Sequence, residues 1–226
     1  MAEDKNKEAP LPQPDKVEVY AKRLLEFAKA NQTAITVAVS AVVLVAIVVA
    51  GVIYFQKQAE EKAQAMLGKA IAQAEAVRRG QAPEARYAEI KPKFEEIIQN
   101  YGSTAAGKAA LLKYADLCYQ TGDYDTAIEM YQSALDAYKE GGIKSFVLNG
   151  LAYAYESKEA YAQAAEYFNR IVTDGSAIMK DQALFNLGRI YGKMGKPEKQ
   201  RNAYNRIVSD YPNSMYYQLA KEKLAG

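Results

Sequence analysis

The hydrophobic positions divide this chain into two regimes. Residues 30–56 carry no charged side chain, and 34–55 is an almost unbroken run of Ala, Val, Ile and Leu. As a helix at ~1.5 Å per residue that run spans roughly 33 Å, close to the ~30 Å hydrocarbon core of a bilayer. The pattern predicts one transmembrane helix over 34–56. A secretory signal fits poorly, because its apolar region is ~7–15 residues behind a short basic leader. Here the apolar run is longer and 33 residues precede it. A buried core helix also fits poorly, since such helices are rarely apolar on every face for this length. Tyr54 and Phe55 at one edge and Phe27 at the other suit interfacial positions. Ala46 and Ala50 form a small-xxx-small pair that would seat a helix dimer, although an Ala-rich span produces such pairs by chance.

On either side of the span the pattern becomes polar. Residues 1–15, with Pro10, Pro12 and Pro14, read as an extended tail. Residues 16–33 place Val19, Leu24, Leu25, Phe27 and Ala28 at spacings that predict a short amphipathic juxtamembrane helix. Beyond the span, 58–79 is rich in Ala, Gln, Glu and Lys, all strong helix formers. Nothing interrupts 54–79, so the transmembrane helix is expected to continue into the polar part. Arg78 and Arg79 suit the negative end of its dipole and Gly80 supplies a left-handed stop. Residues 81–86, with Pro83, read as a loop.

From Tyr87 onward the pattern repeats. Gly122 and Tyr124 are followed by Ala127, Tyr131, Ala134 and Leu135. Some 37 residues later Tyr161 is followed by Ala164, Phe168, Ile171 and Val172. A further 36 residues on, Gly195 is followed by Tyr204, Ile207, Val208, Tyr211 and Pro212. Upstream of each turn lies a second helical stripe: Tyr114 to Tyr119, then Leu148, Leu151, Ala152 and Tyr155, then Leu184, Leu187, Gly188 and Tyr191. Each unit is therefore two antiparallel helices about a tight turn. Ala127 and Ala164 let them approach, and Tyr131, Phe168 and Tyr204 fill space towards the next unit.

This arrangement resembles the tetratricopeptide repeat (TPR) family over residues 108–224. Leu187, Gly188, Tyr191, Gly195, Tyr204 and Pro212 carry the best match, and Leu151, Ala152, Tyr155, Tyr161, Ala164 and Phe168 match nearly as well. Two positions depart from the pattern: Glu159 stands where the turn glycine is usual, and Gln200 where the small alanine is usual. Residues 87–104 resemble the second helix of a degenerate earlier repeat, with Phe94, Ile97, Ile98, Asn100 and Tyr101 echoing Tyr204, Ile207, Val208, Asp210 and Tyr211. The expected fold is all-α: a single transmembrane helix continuing into a TPR-like α-solenoid. Residues 57–107 hold the membrane-continuous helix and the degenerate repeat. Residues 108–226 hold three repeats and a capping helix over 214–224, which covers the last unit's apolar face.

Charge and composition narrow the function. The net charge is +2 with no basic block or acidic tail, which gives no support to nucleic-acid binding. Histidine is absent, and acid–base catalysis and most transition-metal sites lean on imidazole. The one cysteine, Cys118, lies in a helical stripe with no imidazole to pair with; it reads as a small buried hydrophobe. It also excludes an internal disulfide and a lipoprotein anchor. No phosphate loop, metal-ligand cluster or calcium loop occurs. The expectation is a non-enzyme without cofactor or metal.

Most of the tyrosine stripes read as inter-helix packing. The TPR resemblance implies a concave face on the first helices of the repeats, lined by Leu112, Lys113, Asp116, Tyr119, Phe146, Asn149, Tyr153, Phe185, Asn186 and Arg189. An aromatic-lined groove with scattered polar groups suits an extended peptide or an unfolded segment. The Lys/Asn clamp by which some TPR domains hold a C-terminal carboxylate is not matched, because Leu112 and Asp116 occupy two of its places.

Orientation is left open by charge. Lys16, Lys22, Arg23 and Lys29 precede the span and Lys57, Lys62 and Lys69 follow it, nearly a tie under the positive-inside rule. A short leader, one span and a C-terminal TPR domain resemble the bacterial ancillary SecYEG translocon subunit family over residues 15–226. That resemblance implies a cytoplasmic N-terminus, a periplasmic TPR domain, and association with the translocon, periplasmic chaperones or emerging polypeptides. An adaptor in cell-envelope assembly or division, a cytoplasm-facing membrane adaptor and a purely structural oligomer fit the same sequence. The oligomeric state is left open.

Overall fold

A computed structural model of the chain describes residues 16–78, 83–175 and 178–225. The chain divides into two units, residues 1–55 and 56–226. The proline-bearing segment 1–15 and the stop signal at Arg79 and Gly80 lie outside the described residues.

In the first unit α1 (Lys16–Ala30) is followed by the start of α2 (Gln32–Arg78). Asn31 donates its N–H to Phe27 O at 3.0 Å and Ile35 to Asn31 O at 2.9 Å, so helical hydrogen bonding crosses the junction. Every Val, Ile, Leu, Tyr and Phe from Ile35 to Phe55 is exposed. Over this stretch the helix is apolar on every face. It is long and apolar enough to cross a membrane. The same helix runs without a break to Arg78, because no Pro or turn residue interrupts its good helix formers.

The second unit comprises residues 56–78 of α2 and then α3 (Pro83–Tyr101), α4 (Ala105–Gln120), α5 (Tyr124–Ala137), α6 (Gly142–Ser157), α7 (Tyr161–Thr173), α8 (Lys180–Lys193), α9 (Pro197–Asp210) and α10 (Tyr217–Ala225). Helices from α3 onward pack on their neighbours in sequence, the one-dimensional contact scheme of a solenoid. The expected loop over 81–86 is shorter than the sequence pattern indicates, since Pro83 opens α3 and residues 83–86 are helical. Proline suits the first helical turn, where its missing N–H has no intrahelical partner to lose. The rest of that segment, Gln81 and Ala82, lies outside the described residues.

Three turns share one geometry. Asp123 N–H reaches Cys118 O, Ala160 N–H reaches Tyr155 O, and Lys196 N–H reaches Tyr191 O, each at 2.9 Å. This six-to-one bond closes a helix around a left-handed residue. The residues in that conformation are Gly122 (φ +81°), Glu159 (φ +60°) and Gly195 (φ +66°). The departure from pattern at Glu159 therefore leaves a side chain in a glycine conformation. A left-handed non-glycine residue costs about 1–2 kcal/mol, and glycine's extra freedom in the unfolded chain returns roughly half of that. Glu159→Gly is expected to stabilise the fold by about 0.5–1 kcal/mol, read as a higher urea midpoint at unchanged slope. A midpoint that does not rise would show the turn to be unstrained.

The buried side chains form two clusters. One joins Ala63, Leu67 and Ala70 of α2 to Ile90, Phe94 and Ile97 of α3 and to α4–α6; Phe94 stacks on Tyr114 with centroids 5.5 Å apart. The other holds Leu148, Phe168, Ile171, Leu184, Ile207 and, from the cap, Ala220. A longer-range contact fixes the start of α4. The Glu60 carboxylate accepts from Ala105 N–H (2.7 Å) and Ala106 N–H (3.1 Å), and Thr104 Oγ1 accepts from Gly107 N–H at 2.9 Å. A negative group on N-terminal amides that have no intrahelical partner is favourable in both hydrogen bonding and dipole terms.

Candidate functional site

On α4, Leu112, Asp116 and Tyr119 recur at helical spacing with Lys113 beside them. On α6, Phe146, Asn149, Gly150 and Tyr153 do the same. Positions three and four apart share a helix face, so each helix presents one row. The two rows, with Tyr131 of α5, line a single cavity of about 410 Å³. Seven of the ten residues expected on the groove are thereby brought together. Sequence reading missed Tyr131 and Gly150 as lining residues; the signal available was that a buried tyrosine hydroxyl requires a partner.

Tyr131 is the wedge between the rows. A Cβ at position 150 would lie 2.4 Å from Tyr131 Cζ, so the ring packs on bare α6 backbone. Its hydroxyl donates to Asp116 Oδ1 at 2.6 Å. Burial, and then this bond to a carboxylate, push the Tyr131 pKa well above the ordinary phenol range, so the hydroxyl stays a neutral donor. Asp116 is thereby oriented by the fold itself. Asn149 differs: its Oδ1 is buried and accepts no hydrogen bond among the described residues. A buried acceptor left in this state is costly, and an incoming N–H would relieve it once the Asn149 amide turned towards the cavity. Phe146, 54% exposed, offers an open aromatic surface at the rim. The site thus combines aliphatic and aromatic walls, an exposed cation at Lys113 and an amide acceptor.

Phe185, Asn186 and Arg189, all on α8, do not line this cavity. Phe185 stacks on Tyr216, next to the capping helix, with centroids 5.0 Å apart. Asn186 is buried and donates from Nδ2 to Tyr153 Oη at 2.9 Å. Arg189 forms a two-point pair with Glu156, including Nη2 to Oε2 at 2.7 Å, and Lys193 Nζ adds a contact to Glu156 Oε1 at 2.9 Å. Burial opposes the charge on Glu156, but the bonds from Arg189 and Lys193 outweigh it and hold its pKa below the usual carboxylate range. A depressed carboxylate contributes stability above its unfolded pKa, lost as pH falls through the folded value. These three residues connect repeats, and Asn186 meets the groove through Tyr153.

Cys118 is fully buried with Sγ 2.9 Å from Tyr87 Oη. Burial pushes its thiol up to about 11, which keeps it neutral and unreactive.

An all-α array of two-helix repeats, with a groove between the first helices of successive units, defines a helical-repeat protein suited to protein–protein interaction. The chain belongs to the tetratricopeptide repeat-like domain family, whose model matches residues 26–226. No curated protein matches it. Solved structures similar in fold include a tetratricopeptide repeat protein from Parabacteroides merdae, 14% identical with a TM-score of 0.57 over 74% of this chain. The chain spans only 59% of that protein. The MamA protein is 15% identical at TM-score 0.53, covering 70% of this chain and 79% of MamA. The Pseudomonas aeruginosa pilF structure is 17% identical at TM-score 0.52, covering 74% and 69% respectively. At such identities the likeness is one of fold.

Proposed function

We propose that this chain is a non-enzymatic, membrane-anchored TPR scaffold of the bacterial inner membrane, holding an extended segment of a partner protein in the α4–α6 groove. The observation that carries the reading is the cavity itself: an open aromatic edge at Phe146, apolar walls, and a buried amide oxygen at Asn149 that lacks a donor. An extended polypeptide supplies side chains for the walls and backbone N–H groups for the acceptor. Anchoring draws support from the continuous helix α2 and from a family match that begins at residue 26, ahead of the apolar run. The span confines the repeat domain to movement along the membrane, which raises its effective concentration towards membrane partners. Layout favours a single-pass protein with its N-terminus in the cytoplasm and its repeats in the periplasm. Its partners there are the SecYEG translocon, periplasmic chaperones or emerging polypeptides.

The test places a photo-crosslinking residue at position 146 of the full chain in native membranes during export of a secretory protein of known sequence. A crosslink to the exported chain is expected. Phe146→Ala with Asn149→Ala should weaken capture about tenfold, the effect of losing ~1.4 kcal/mol, with helicity unchanged. Undiminished capture by that variant would reject the groove. Labelling of a cysteine added after Gly226 by an impermeant maleimide only after lysis would reject the periplasmic placement.

A further inference from the structure

The second unit is not the only part of the molecule with an unpartnered face. Helix α1 places Val17, Tyr20, Leu24, Leu25 and Phe27 on one side, and each is between 61% and 71% exposed. With ~100° between successive residues, these and the interleaved Ala21 and Ala28 cover an arc of roughly 160°. The opposite arc holds the charges in an ordered way. Lys22 and Lys29 flank the apolar face on one side together with Glu18, Arg23 flanks it on the other, and Glu26 lies farthest from it. Val19 and Ala30 are the apolar residues on the polar arc.

We propose that α1 lies flat on an anionic lipid surface, its apolar face buried between headgroups and its basic flanks paired with lipid phosphates. Three observations select this occupant. Only Asn31, Gln32 and Thr33 separate α1 from the apolar run of α2, and Asn31 interrupts the helix there as a turn residue. On the reading that α2 spans the bilayer, on which this proposal rests, α1 therefore begins at headgroup level. Second, cations beside an apolar face can extend their stems along it and place their charges at the phosphates, while Glu26 points to water. Third, a second copy of α1 is a poorer fit. The arc is wider than a two-in-seven coiled-coil seam, which a symmetric pair of such helices would leave partly uncovered. Juxtamembrane cations near an acidic leaflet are attracted within a Debye length.

The test uses the full chain with Cys118→Ala, reconstituted in vesicles of phosphatidylcholine alone or of equal parts phosphatidylcholine and phosphatidylglycerol. Single cysteines from Leu24→Cys, Glu26→Cys or Leu44→Cys carry a fluorophore, and lipids brominated at shallow or deep acyl positions quench it. Position 44 is expected to be quenched by deep bromines and position 24 by shallow ones, with position 26 open to aqueous quencher. Shallow quenching at 24 should be at least about twofold stronger with phosphatidylglycerol. Lys22→Gln, Arg23→Gln and Lys29→Gln together should abolish that difference. Equal aqueous access at 24 and 26, with position 44 deep, overturns the proposal and leaves the span intact. Disulfide pairing of position 24 with itself in place of lipid quenching assigns the face to a second copy and also overturns it. Loss of deep quenching at 44 removes the span and the proposal together.

Discussion

Phe168→Ala is expected to remove about 3–5 kcal/mol of stability, the range for deleting a large aromatic from a packed core. Phe168 has no exposed surface and meets the Tyr153 ring edge-on, with centroids 5.4 Å apart and planes at 87°. It shares a cluster with Leu148, Ile171 and Leu184, so its loss opens a void shared by α6, α7 and α8. Edge-to-face pairing adds about 0.5–1.5 kcal/mol beyond area. The measurement is urea unfolding of the full chain followed by helicity. Because repeats couple mainly to neighbours, the second and third repeats should melt before the first, broadening the transition. A loss below about 1 kcal/mol would mean that α7 is not seated as described. Tyr153 lines the groove, so the same variant should also weaken capture of an extended segment. Phe146→Ala, at an exposed site, should weaken capture without the stability loss.

Gly107→Ala should be nearly as damaging for a different reason. In an ordinary helix this change is favourable by roughly 0.5–1 kcal/mol, because alanine restricts the unfolded chain. Here a Cβ would lie 1.9 Å from Tyr101 O and 2.9 Å from Gly102 Cα, both backbone atoms that cannot rotate away. The first turn of α4 would have to move away from the end of α3. That motion would disturb the Thr104 cap and the Glu60 contacts to Ala105 and Ala106. Overpacking costs about 1–3 kcal/mol and occasionally more, and contact with backbone that cannot rotate away puts this site at the upper end, above the entropic gain. A lowered urea midpoint is the expected result; a raised one would mean that α3 and α4 are not in contact there. Since α4 carries Leu112, Lys113, Asp116 and Tyr119, groove binding should fall with it.

The two variants mark different kinds of information. Phe168 is legible as a core residue because it recurs at the position of Tyr131 and Tyr204 in a 37- and 36-residue repeat. Gly107 matches no repeat position noted in the sequence; its role exists only where α3 meets α4. The groove shows the same division. The TPR resemblance picks out Leu112, Asp116 and Tyr119 on one helix and Phe146, Asn149 and Tyr153 on another, and helical spacing puts each set on one row, so the rows can be read from the chain. What covers each row cannot. Tyr131 enters the α4–α6 groove because Gly150 leaves room for its ring, and Tyr216 stacks on Phe185.

Local chemistry acts over one helix turn or one repeat, and the sequence by itself therefore determined the all-α class, the repeat period, the apolar span candidate and the left-handed demand at Glu159. Tertiary structure decided the contacts between residues far apart in the chain: the Glu60 carboxylate on the α4 amides, Arg189 and Lys193 on Glu156, and Tyr131 on Asp116. The physical reason is range. Periodicity records which face a side chain occupies, whereas a hydrogen bond or a ring contact requires a few ångströms of separation that only the packed solenoid sets.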